Sequence, residues 1–220
     1  MRIEEVLQGL DAHYDVEGWW PSASAWEVMV GAILTQQTTW TNVMRSLEGL
    51  KAKGLDGPCE VAAADIGELM DIVRPCGFFR QKSERLQGLA ERICGDYSGD
   101  PMQLLSSDDA RGRLLAIKGV GPETADSILV FAARRPYFVA AAYPERVLGR
   151  TGAVRVKGYH ALQEEVHRSL GRDASTLARF YSLLVEHAKR HCRPKPSCQG
   201  CPLENGCLFI STERADSPGL

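Results

Sequence analysis

The stretch Ile117-Lys118-Gly119-Val120-Gly121-Pro122-Glu123-Thr124-Ala125-Asp126 decides the reading of this chain. Two glycines flank a small apolar residue, and a helix is predicted to begin directly after them. Pro122 suits the first helical position, where a missing N–H costs nothing. Gly119 and Gly121 permit positive φ and let another molecule approach the main chain closely. The unbonded N–H groups at the helix start then point outward as an anion site that needs no basic side chain. Leu114, Leu115 and Ile117 before the turn, and Ala125, Ile128 and Leu129 after it, supply the two apolar faces of a helical hairpin. Gly-x-Gly also occurs in ordinary interhelical turns, so these residues alone leave both a phosphate grip and a plain turn open.

The same helical rhythm runs outward in both directions. Trp26, Met29, Val30, Ile33 and Leu34 recur at three- and four-residue steps, as do Leu86, Leu89 and Ile93, and Leu177, Phe180, Tyr181 and Leu184. Breakers separate the segments at Gly54 to Pro58, Pro75-Cys76-Gly77, Ser98 to Pro101 and Gly171-Arg172-Asp173. Tyr137-Phe138-Val139 is too short for a strand and reads as a connection. The chain of 220 residues is long enough for one large or two small domains. Its 44% hydrophobic and 25% charged residues are those of a soluble globular protein. No apolar run approaches the ~20 residues that span a bilayer, and the N-terminus carries no signal region. The expectation is a cytoplasmic, membrane-free protein. A net charge of −2 does not advertise nucleic-acid binding, but a grip made of backbone N–H groups needs few cations. Basic clusters occur at Arg111/Arg113, Arg134/Arg135 and Lys189/Arg190/Arg193/Lys195.

Seven cysteines are present. Cys59, Cys76 and Cys94 are scattered, and an odd total without a secretion signal argues against a disulfide framework. Cys192, Cys198, Cys201 and Cys207 crowd a loop with Pro194, Pro196 and Gly200. Four thiolates so placed can converge on zinc or on an iron–sulfur cluster. Spacing barely separates the two, although one compact run fits a cubane better than a zinc ribbon.

Together, the hairpin and the cysteine loop resemble the endonuclease III superfamily of helix-hairpin-helix DNA glycosylases. The resemblance runs from about Trp19 to Cys207. It includes Leu34-Thr35-Gln36-Gln37-Thr38-Thr39 before the hairpin and Arg146-Val147-Leu148-Gly149-Arg150-Thr151-Gly152 after it. Within the superfamily, Gly18-Trp19-Trp20-Pro21, Leu34 to Trp40 and Gly121 to Leu129 look most like the 3-methyladenine DNA glycosylase III branch. The resemblance implies an all-α fold of two helical lobes with a cleft between them. One domain would span 21–135 and end in the hairpin. The other would join 1–20 to 136–207, with a tail at 208–220. It implies a 4Fe–4S cluster on Cys192, Cys198, Cys201 and Cys207, although the family's first gap is more often six residues than five.

The resemblance also implies a base-excision enzyme acting on double-stranded DNA with a damaged base, in a monomer associated with a prokaryotic nucleoid. Lys118, Gly119, Val120, Gly121, Glu123 and Thr124 would hold the DNA strand, and Gln37 would fill the gap left by the extruded base. Trp20 and Trp40 would sandwich a cationic methylated purine, with Tyr143 nearby; Trp19 and Trp26 would serve the core. Bifunctional members place a nucleophilic lysine where this chain has Glu123, and a carboxylate cannot form a Schiff base. The expected activity is therefore monofunctional, without AP-lyase action. The family's catalytic aspartate falls on Ala141, which can neither stabilise a sugar cation nor polarise water. Asp126 reads as a surface or capping acid rather than a replacement. The chain is expected to be a glycosylase in catalytically inactive form. The alternatives are a damaged-DNA-binding protein that never cuts, a glycosylase for uracil, hypoxanthine or an oxidised base, and an iron–sulfur electron carrier.

Overall fold

A computed structural model describes residues 1–211. Residues 212–220, most of the expected tail, lie outside the described residues. Residues 208–210, also assigned to that tail, are helical, and Ile210 is buried. Among the described residues every regular element is helical, as the periodicity requires.

The chain divides into two compact units, one from Trp20 to Arg134 and the other joining Met1–Trp19 to the chain from Arg135 onward. The second unit holds α1 (Ile3–Asp11), α10 (Ala142–Thr151), α11 (Tyr159–Leu170) and α12 (Ala174–Arg190). Its α12 packs against α1 and α10, and Leu177, Phe180, Tyr181 and Leu184 on it are all buried.

The Trp20–Arg134 unit holds α2 (Ala25–Leu34), α3 (Trp40–Ala52), α4 (Pro58–Ala63), α5 (Ile66–Val73), α6 (Phe79–Tyr97), α7 (Pro101–Leu105), α8 (Ala110–Leu115) and α9 (Pro122–Ala132). Helix α6 is the spine, contacting α2, α4, α5 and α7. Helix α2 is buried almost all round and lies on α9. Short polar caps fix where these helices begin. The side chains of Ser24, Thr39, Asp65 and Asp100 each accept a backbone N–H in the first turn that follows.

Two readings of the sequence are corrected here. Asp126 is neither a surface nor a capping acid. It is fully buried and takes a two-pronged bond from Arg111, Nε to Oδ1 at 2.7 Å and Nη2 to Oδ2 at 3.2 Å. The pair ties α8 to α9, and Arg111 is spent on it rather than on a surface patch. Cys59 and Cys94 are joined in a disulfide between α4 and α6. The odd cysteine count had argued against a disulfide framework, but helix packing brings these two together across a separation of 35 residues.

Candidate nucleic-acid interface

Of the two glycines between α8 and α9 only Gly119 takes the positive φ expected of both; Gly121 is at φ −93°, a conformation open to any residue, and a Cβ there would meet nothing within 4 Å. Gly119 has φ +89°, and Gly121 is the N-cap of α9 in extended geometry with Pro122 following. No side chain caps this helix. Ala125 N–H returns to Gly121 O at 2.9 Å, but the N–H groups of Gly119, Gly121, Glu123 and Thr124 find no partner among the described residues. They are donors available to an anion. Val120 differs: its N–H bonds Ile117 O at 3.0 Å and its side chain is buried, so it shapes the turn and offers nothing outward. Lys118 is exposed beside the turn. The carboxyl of Glu123 is pushed above the usual carboxylate range by desolvation.

The segment between α2 and α3 lies in the same unit. Gln36 bridges it to the hairpin: its Nε2 donates to Thr124 Oγ1 at 3.2 Å, and its Oε1 accepts from Arg85 Nη1 at 2.9 Å. Gln37 is exposed and left-handed, with φ +54°. Such a conformation is uncommon outside glycine.

Trp20 and Trp40 are brought together, but not as two parallel slices. Their ring centroids are 5.3 Å apart at 70°, edge to face, and Trp20 also lies over Phe131 at 4.7 Å. No planar base fits between rings in that relation; the two indoles form one aromatic wall. Gly31 makes room for it, since a Cβ there would stand 3.3 Å from Trp40 Cη2 and 3.4 Å from Trp20 Cζ2. The Trp40 Nε1–H is buried without a hydrogen-bond partner among the described residues. That donor is costly to leave unmet. Trp26 is buried in the core, whereas Trp19 is half-buried and donates to Glu186 at 2.9 Å.

In the other unit, Ala141 is the N-cap of α10, extended at φ −74° and ψ −179°, and buried at 6% exposure. Its methyl caps nothing. Two residues on, Tyr143 is exposed under the guanidinium of Arg146 at 5.1 Å. The far end of α10 meets the cysteine loop. Arg146 Nε donates to Cys192 O at 2.7 Å, and Arg150 donates to Arg193 O at 2.6 Å and Pro194 O at 2.9 Å.

Cys192, Cys198, Cys201 and Cys207 line one apolar pocket with His187, Arg150 and Leu203. Among the described residues no three His, Cys, Asp or Glu side chains converge as a single-ion site. The Cys201 thiol is pushed up to about 11, chiefly by burial, with Cys207, Cys198 and Cys192 adding to the rise. The four thiols are soft donors gathered on one pocket, the ligand type that an iron–sulfur group takes.

Residues 30–172 match the HhH-GPD superfamily of base excision DNA repair proteins. The chain belongs to this superfamily. A Methanocaldococcus jannaschii protein named as a DNA repair glycosylase is 37% identical over 210 residues, covering 94% of this chain and 96% of its own. Among solved structures, the H. pylori 3-methyladenine DNA glycosylase bound to 1,N6-ethenoadenine matches with a TM-score of 0.75 at 28% identity, over 86% of this chain and 98% of that one. A non-covalent endonuclease III–DNA complex matches with a TM-score of 0.80, over 98% of this chain and 99% of that one. At 20% identity this likeness speaks for the fold alone.

Within this HhH-GPD chain, the reading of sequence missed two residues at the hairpin unit's surface. Phe78 is 64% exposed and left-handed at φ +46°. The buried Lys82, donating to Cys76 O at 2.7 Å, pins the loop that presents it. Phe-Phe after Pro-Cys-Gly was the available signal. Arg85 was the other, and only its packing on Gly119 reveals it.

Proposed function

We propose that this chain recognises damaged bases, alkylated purines first among them, in double-stranded DNA, and that it has the build of a monofunctional DNA N-glycosylase silenced by alanine at position 141. The single observation that carries the reading is Ala141 at the N-cap of α10. In the resembling family an aspartate belongs there, and a carboxylate is what a sugar losing its base requires. The unpartnered N–H groups at Gly119, Gly121, Glu123 and Thr124 suit a DNA phosphate. Gln37 and Phe78, both exposed and left-handed, suit the space vacated by an extruded nucleotide. The Trp20–Trp40 wall offers an electron-rich ring to a cationic base. Glu123, in place of a lysine, supports the absence of AP-lyase action.

Cys192, Cys198, Cys201 and Cys207 would hold a 4Fe–4S cluster, which when bound supplies a structural cross-link to the loop. Arg146 and Arg150 hold that loop to α10 from the protein side. Lys189 and Arg190 are paired with Glu186, at 3.6 and 3.3 Å, whereas Arg193 and Lys195 are exposed cations beside the loop that suit a polyanion.

The test is a panel of duplexes carrying 3-methyladenine, 7-methylguanine, hypoxanthine, uracil or 8-oxoguanine, with an intact control. The expected result is tighter binding to an alkylated-purine duplex than to the control, with no base release until Ala141→Asp is made. Equal, negligible affinity for all duplexes overturns the reading. Base release by the unaltered chain overturns the silencing. A visible absorption band and iron analysis of the purified chain test the cluster.

A further inference from the structure

We infer that Arg85 is a positioning residue that couples the strand-gripping turn at Gly119 to the extruding segment at Gln37. The inference rests on the DNA reading above. One side chain makes both contacts. Its stem lies so close on Gly119 that a Cβ there would stand 2.5 Å from Arg85 Cγ and Cδ, and 2.8 Å from Nε. Its Nη1 donates to Gln36 Oε1 at 2.9 Å. The Gln36 amide then spends its other end on Thr124 Oγ1 at 3.2 Å, in the first turn of α9.

The path runs from the turn to α6, to the α2–α3 segment, and back to the helix start. Each link constrains the next. With its oxygen held by a guanidinium and its nitrogen by a hydroxyl, the Gln36 amide has one orientation that satisfies both. That leaves little freedom for its neighbour. Gln37 sits at φ +54°, a conformation a non-glycine residue keeps only where its surroundings dictate it. Arg85 is half-buried, and no carboxylate pairs with it among the described residues. It lies near enough to Lys82 to depress that ammonium's pKa, a contribution that adds to the larger effect of burial. An unneutralised cation next to unpartnered N–H groups deepens the pull on an anion at the turn. A strand settling on the turn presses on the same side chain that orients Gln36.

Direct phosphate binding by Arg85 is the competing role, and one experiment separates the two. Duplexes with 2-aminopurine beside an abasic analogue report base extrusion by fluorescence, without any catalysis. The full chain is compared with Arg85→Lys, Arg85→Met, Gln36→Met and the Arg85→Met/Gln36→Met pair. Arg85→Lys keeps the stem and charge and loses the fork; Gln36→Met removes both bonds and no charge. The expected result is a roughly tenfold loss of extrusion in Arg85→Lys and Gln36→Met, with an unchanged salt slope of binding, and a double variant no worse than the Arg85→Met single variant. Normal extrusion in Gln36→Met overturns the inference. So does an Arg85→Met defect seen only as weaker binding with a salt slope lower by about one, which marks a phosphate contact. An unaltered chain that does not bind duplex overturns the DNA reading and this inference together. One that binds and extrudes, with variants matching it, overturns the inference alone.

Discussion

Replacing Ala141 by aspartate is expected to change two measurable quantities at once, and for the first of them the structure sets the size. Helix α10 begins at Ala142, and Glu145 N–H already bonds Ala141 O at 3.0 Å, so the backbone is in place for a capped start. The third helical residue is Pro144, which has no N–H, leaving the Tyr143 N–H as the target of a capping carboxylate. Alanine at such a position is worse than aspartate by about 1 kcal/mol, and a charge at the positive end of the helix adds roughly 0.3–1 kcal/mol. Ala141 is 6% exposed, so desolvation of the new carboxylate removes part of that gain. The net expectation is about 1 kcal/mol, or roughly 2–4 °C in Tm for a chain of this length. Bonded to N–H and facing a helix start, the carboxyl has a folded-state pKa below its unfolded value. The gain is therefore present at neutral pH and is lost as pH falls through the folded pKa.

The second quantity is base release. A carboxylate placed against a developing sugar cation contributes a factor of about a hundred to a thousand or more. The assay pairs calorimetry of Ala141→Asp with chromatography of free bases from methylated DNA. Stabilisation with restored release supports both halves of the argument. Stabilisation without release refutes the catalytic one, because the acid is then present, folded and inert. Neither effect refutes the assignment of position 141 as an N-cap.

Trp40→Ala removes half of the aromatic wall and its buried donor, so affinity for an alkylated-purine duplex falls about tenfold while intact duplex binding holds; fluorescence anisotropy checks this. Glu123→Gln removes the one acid in the first turn of α9. Its pKa is raised by desolvation, so protonation on lowering the pH discharges it and tightens duplex binding; the glutamine variant binds about threefold tighter at neutral pH and loses that pH dependence. Cys59→Ser/Cys94→Ser opens a cross-link over 35 residues and lowers stability by about 3–4 kcal/mol; an unchanged denaturant midpoint refutes the bridge.

The hairpin was readable because glycine, proline and an uncapped helix start are local chemistry: residues 117–126 carry their own backbone instructions. That Cys192, Cys198, Cys201 and Cys207 gather on one pocket was readable for the same reason, from their crowding beside Pro194, Pro196 and Gly200. What could not be read depends on rotation about packed helices. Asp126 looks like an ordinary polar residue until α8 turns Arg111 onto it. Cys59 and Cys94 sit on different helices, and no local spacing marks them as partners. The two tryptophans were identifiable as a pair, but the 70° between their rings is set by Gly31 and Phe131, not by their own positions in the chain. Phe78 shows its exposure only once Lys82 has fixed the preceding loop.

On the proposed reading, recognition and reaction rest on different parts of the chain. A grip built from main-chain N–H groups depends on the path of the backbone, which Gly119 at positive φ and Pro122 at the helix start enforce and which most other substitutions leave alone. It also explains how a chain with a net charge of −2 can address a polyanion, since the donors carry no formal charge. Chemistry has no such redundancy. On that reading one carboxylate at the head of α10 would support it, and the methyl there leaves the helix start, the cysteine loop held by Arg146 and Arg150, and the core of that unit intact. On the proposed reading the fold places no barrier against losing the reaction while keeping a hold on DNA, and position 141 is where the two functions would part.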